Sequence, residues 1–200
     1  EACQHIEIEQ STATISNLLL QRLPLDQIYV CRMNEGQQSL ETVGIGFAEK
    51  QNKATITGHQ FSNTDWQTLT HWHDRHVPVF ASDIETHNLT TLILQGHGAH
   101  DIMVGPLGDS VRGILIFLSA TARRFESVHQ DMFVTLLAPF SVALGNDARL
   151  QELSRLRHAA EADKKSLLQR LSRKAIGDTI IGADAGLAGV MNRLELVAAS

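Results

Sequence analysis

The chain has 200 residues, 43% of them hydrophobic, and a formal charge of −5, which suffices for one buried core with an appended element. No apolar run approaches the ~20 residues that span a bilayer, and two cysteines, Cys3 and Cys31, cannot make a disulfide framework. A spanning helix and a disulfide-stapled secreted fold are therefore excluded, and a reducing cytoplasm with no membrane partner is the expectation.

The charge is unevenly spread. Residues 1–148 hold 8 basic and 16 acidic side chains, whereas 149–200 hold 9 and 6, so an acidic body carries a basic tail. In that tail Arg149, Arg155, Arg157, Lys164, Lys165, Arg170, Arg173 and Lys174 alternate with leucines at helical spacing, which a solvated helix face explains better than a nucleic-acid patch. The chain begins at Glu1 without a methionine or a signal-like segment, and reads as a piece of a longer protein.

In chain order, Ile8, Ile15, Leu18 and Leu19 predict a helix over 5–20, closed by Pro24. Ile28 to Cys31 within 26–33, and the run 40–47, predict an antiparallel strand pair joined through Asn34-Glu35-Gly36. A third short strand is expected at 54–57. Trp66, Leu69 and Trp72 predict a helix over 64–76, ending before Pro78, and a strand follows over 77–81. Residues 84–98 are irregular in pattern, with one short helix around Leu89, Leu92, Ile93 and Leu94.

Two strong strands, 101–107 and 111–119, flank a turn at Gly108-Asp109-Ser110. The second, with Ile114, Leu115, Ile116, Phe117 and Leu118 in succession, is apolar on both faces and belongs in the middle of a covered sheet. From Phe125 the pattern is helical, with Val128, Met132, Leu136, Leu137, Phe140 and Leu144 on a stripe and a kink expected at Pro139. The order predicts an α+β fold: an antiparallel sheet of five or six strands with helices on both faces, then a long C-terminal helix.

Beyond it, Leu150, Leu153, Ala160, Leu167 and Leu171 follow a heptad if Arg157 and Lys164 occupy the intervening seam positions. A helix that pairs loosely with its symmetry mate fits this pattern; a surface helix lying against its own domain is the alternative. After a glycine-rich turn, Leu187, Val190, Met191, Leu194 and Val197 predict a last amphipathic helix.

Seven of the ten histidines fall between residues 59 and 100. Among His71, His73 and His76, helical geometry leaves only His73 with His76 as a usable ligand pair, too few for a metal that wants four donors. No nucleophile–base pair stands out, so no enzyme is predicted. A small-molecule pocket between the sheet and residues 64–100 is the remaining candidate. Its expected lining is Trp72, Arg75, His76, Phe80, Asp83, His87, His97, His100 and Met103, with Arg75 and the histidines suited to a carboxylate and Trp72 and Phe80 to an apolar body.

Two blocks resemble known families. Ile102-Met103-Val104-Gly105-Pro106-Leu107, the strand from Gly113, and Phe125-Glu126-Ser127-Val128-His129-Gln130-Asp131 leading to Ala143-Leu144-Gly145-Asn146-Asp147 resemble the carboxy-terminal half of a GAF domain. Val79-Phe80-Ala81-Ser82-Asp83 resembles the strand and aspartate before that fold's ligand loop. Ile180-Ile181-Gly182, Gly186-Leu187 and the following helix resemble the opening of the AAA+ ATPase of sigma-54-dependent transcription activators; no GxxxxGK[ST] loop follows within the chain.

Together the resemblances imply a GAF sensory domain at 1–148, a helical linker at 149–175 and a truncated AAA+ segment at 176–200. They imply a homodimer that gates the AAA+ domain of its own chain, with sigma-54 RNA polymerase and DNA contacted only through other domains. The implied ligand is an unidentified small molecule. The iron site of nitric-oxide-responsive relatives is matched at His100 but not at Ile102 or near Leu118, and neither cysteine lies in the loop where a bilin would attach. The alternative is a ligand-free GAF dimerisation module that holds the ATPases in register.

Overall fold

The structure, a computed structural model, describes residues 19, 22–47, 60–81, 88–94, 101–108, 111–119, 125–179 and 186–198, with side chains in the long helix described to Leu171. The expected first helix (apart from Leu19), the short strand at 54–57, and Asp83, His87, His97 and His100 lie outside the described residues. By internal contacts the chain divides into two compact units, 1–151 and 152–200.

The first unit is built on strands β1 (Gln27–Asn34), β2 (Ser39–Phe47), β3 (Val79–Ala81), β4 (Asp101–Leu107) and β5 (Gly113–Ser119). They form one sheet in the order β2-β1-β5-β4-β3, every neighbouring pair antiparallel. β5 is central and buried along its whole length, as its unbroken apolar run requires. Between β1 and β2 the register passes from Val30↔Gly44 to Cys31↔Thr42. Val43 is the extra residue of this bulge, and its side chain joins the core on the opposite face from Leu40, Ile45 and Phe47.

Alternation along the strands supplies two cores. Tyr29, Cys31, Met33, Ile102, Val104, Ile114, Ile116 and Leu118 face one side, where helix α1 (Asn63–Asp74) contributes Trp66 and Leu69 and helix α2 (Asn88–Ile93) contributes Leu89 and Ile93. Ile28, Val30, Met103, Leu107, Leu115 and Phe117 face the other side, against Leu19, Leu23, Leu25 and Phe133, Phe140 and Leu144 of helix α3 (Ser127–Thr179). Helices thus cover both faces, as expected.

α1 starts where Ser62 caps it. The Ser62 hydroxyl accepts from the Asp65 N–H at 3.2 Å and donates to its carboxylate at 2.7 Å, a reciprocal cap that satisfies an otherwise orphaned donor. It ends before Pro78, with His76 in the left-handed region at φ 54. α3 lies close on the sheet because two strand glycines make room. A Cβ on Gly105 would meet Leu137 at 2.5 Å and Phe133 at 2.8 Å, and one on Gly113 would overlap Leu144 and lie 2.7 Å from the Cys31 carbonyl. The helix continues through Pro139, which sits on its exposed side. There its missing N–H removes one intrahelical bond without disturbing the core.

In the second unit, Leu153, Leu156, Leu167, Leu168 and Leu171 of α3 are all exposed, and helix α4 (Ala188–Ala198) buries none of its residues. Arg155 pairs with Glu152 and Arg157 with Glu161, each at 2.8 Å. No described helix is long and apolar enough to cross a membrane.

Candidate functional site

The face of the sheet under α1 and α2 carries the polar groups of interest. Three residues of α1, Trp66, Leu69 and His73, recur at helical spacing and are buried toward this core. Trp72 packs half-buried at its margin, and its indole N–H donates to the Val77 carbonyl at 2.9 Å. That bond folds the chain back from α1 toward β3 and leaves the indole face as the group's remaining contact surface.

His73 is the unexpected member. It is 1% exposed, and Nε2 lies 3.1 Å from the Leu107 carbonyl oxygen. Because a carbonyl only accepts, Nε2 carries the proton and Nδ1 is left as a bare acceptor. Among the described residues Nδ1 has no partner. Burial holds the ring's pKa below its ordinary value near 6.5; the Leu107 bond opposes this, while Arg112 and His76 reinforce it. The ring is therefore neutral at physiological pH.

Of the expected lining, the described residues Trp72, Phe80 and Met103 do not share one face. Phe80 and Met103 are cross-strand partners, so both point the same way, and that way is toward α3. Met103 is fully buried there, and the Phe80 ring meets Phe133 at 6.1 Å. Trp72 lies on the other side of the sheet, so no single ligand under α1 touches all three. Arg75 and His76 are exposed at the end of α1, with His76 Nδ1 2.9 Å from the Asp74 carbonyl.

Around them stands a charged cluster. Arg112 donates to Asp74 at 2.7 Å and lies 3.6 Å from Glu35, tying α1 to the turn after β1. His73 and His76 approach with ring centroids 6.0 Å apart. Among the described residues no three His, Cys, Asp or Glu side chains converge to hold a metal. Cys31 is sealed inside β1, where burial pushes its thiol up to about 12, so it is inert as a nucleophile or attachment point. His73 and the buried Asp101 were not singled out as lining residues from sequence. The helical phase of Trp66, Leu69 and His73 is the signal that finds His73.

No family model and no curated protein sequence matches the chain. Solved structures do match. The phycocyanobilin-bound GAF domain of a cyanobacterial phytochrome superposes with a TM-score of 0.54 at 15% identity, covering 70% of this chain and 83% of that one. A far-red-absorbing dark state with bound biliverdin gives 0.56 at 12% identity, over 73% and 92%. The GAF domain of an Acinetobacter phosphoenolpyruvate-protein phosphotransferase gives 0.53 at 13%, over 74% and 87%. With its five-stranded antiparallel sheet, helices on both faces and the long helix α3, the chain has the GAF fold.

Proposed function

We propose that the chain is a ligand-sensing regulatory module of a sigma-54-dependent activator, acting as a dimer through the exposed part of α3. The observation that carries this reading is the continuity of α3. Phe133, Phe140 and Leu144 lock the helix to the sheet, and the same helix goes on to present a row of exposed leucines. A small molecule bound on the α1 and α2 face, beside Trp72 and His73, would favour one arrangement of that face and thereby one position of α3. Asp83, His87, His97 and His100 complete the proposed lining, with Arg75 and His76 at its rim.

The solved neighbours with bound bilins hold small molecules within this fold. Cys31 is buried, so the ligand here is held without a bond to that thiol. The AAA+ resemblance of residues 180–200 gives the module its target. In the activator that carries this module, deleting residues 1–148 should make ATP-dependent promoter opening independent of the ligand; retained ligand dependence overturns the reading.

A ligand-free dimerisation module is the second reading. It is favoured by the half-buried packing of Trp72 against the core and by its already satisfied N–H.

A further inference from the structure

The peptide group between Leu107 and Gly108 is gripped from both faces of the sheet. On one side its carbonyl accepts from His73 Nε2 of α1 at 3.1 Å. On the other its N–H donates to Ser141 Oγ of α3 at 3.0 Å. A trans peptide points its C=O and N–H in opposite directions, so one planar group bridges the two helices.

The donors run head to tail. His73 donates to the amide carbonyl, the amide N–H donates to Ser141, and the Ser141 hydroxyl donates to the Leu137 carbonyl at 2.7 Å. Each bond polarises the next in the same sense. The amide lies just past the last ladder pair, Leu107↔Gly113, where it can turn out of the sheet. Gly108 supports that turn with φ 65, and a Cβ there would run into the Val111 carbonyl. Among the described residues His73 is tied by Nε2 alone, since Nδ1 has no partner. The titratable and charged groups around its ring are Asp74 at the end of α1, His76 just past it and Arg112 ahead of β5, with Glu35 beyond Arg112.

We propose that the Leu107–Gly108 amide is the link by which α1, on the face assigned to ligand, sets the position of α3, on the opposite face. Its regulatory use rests on the sensing reading above, but the link is tested without ligand, so coupling and sensing fail separately. A shift of α1 draws on the carbonyl and turns the amide. Its N–H then leaves Ser141, two residues past Pro139, where α3 already lacks one backbone bond and bends most readily.

The test perturbs one end and reads the other, by NMR of the whole chain at pH 7.5. Ser141→Ala should shift the ring-nitrogen resonances of His73 across the sheet, whereas Thr135→Ala, which removes another α3 hydroxyl bonded only within its helix, should not. His73→Gln should speed hydrogen exchange of the Gly108 amide and of residues 140–145 about tenfold, and the double variant should depart from additivity at least about threefold. If Ser141→Ala leaves His73 unmoved, or moves it no more than Thr135→Ala does, the link is refuted. Should His73→Gln fail to fold, the Ser141→Ala arm decides alone.

Discussion

Arg32 of β1 donates to Gln151 of α3 at 2.9 Å, clasping the helix to the sheet at the last residue of the first unit. The clasp is braced at both ends. Arg32 pairs with Glu41 of β2 at 2.7 Å, and Gln151 donates to the buried Asp147 at 2.8 Å. Arg32→Met keeps the stem's packing and removes the clasp. It should cost about 1 kcal/mol, since Glu41 is partly solvated and its pair is screened. Hydrogen exchange should rise in α3 around Asp147 to Gln151 while the β5 amides stay protected.

Two glycines should respond in opposite ways. Gly113→Ala drives a Cβ against Leu144 and the Cys31 carbonyl, and the backbone atom cannot move aside, so destabilisation of about 2 kcal/mol is expected. Gly145→Ala, inside α3 with nothing within 4 Å of the new Cβ, should stabilise by about 0.5–1 kcal/mol. Urea unfolding of the two variants beside the parent chain checks both signs.

Acid should weaken the fold through His73. The folded ring holds its pKa below the ordinary value near 6.5, so the unfolded chain binds the proton more readily and stability increases with pH across that interval. The contribution is complete above about 6.5 and is lost progressively as pH falls from there toward the folded pKa. Unfolding curves at pH 7.5 and 5.5 should differ, and His73→Gln, which keeps a donor but does not titrate, should flatten the difference.

The exposed leucines of α3 should govern association and not folding. Leu153→Glu with Leu167→Glu places charge at two exposed positions, 62% and 58% accessible, where no core contact is lost. Sedimentation should show the parent as a dimer and the variant as a monomer, with thermal unfolding of the first unit unchanged within about 0.5 kcal/mol. A parent that sediments as a monomer removes the paired helix from the account.

Much of the framework was legible because it rests on local periodicity. The β5 run announced a strand covered on both faces, and α1, β4 and the start of α3 lie within two residues of their expected bounds. The lining was less legible, and the reason is parity. When both faces of a strand are apolar, alternation shows that Phe80 and Met103 share a face but not which helix covers it. That is settled by their row across the sheet, Phe80↔Met103↔Phe117↔Ile28, and by Phe133, whose ring stands 5.0 Å from Phe117 at 80°. Helical phase marks His73 as buried, but its partner is hidden: the Leu107 carbonyl lies 34 residues away and is a backbone atom that no side-chain pattern records.

The most direct test of the sensing account is native mass spectrometry of the chain purified from its expression host, with Trp72→Ala alongside. The account predicts a dimer carrying a discrete extra mass, reduced or lost in Trp72→Ala while the dimer persists. A dimer weighing two bare chains would contradict sensing and leave the dimerisation module, and a bare monomer would contradict both.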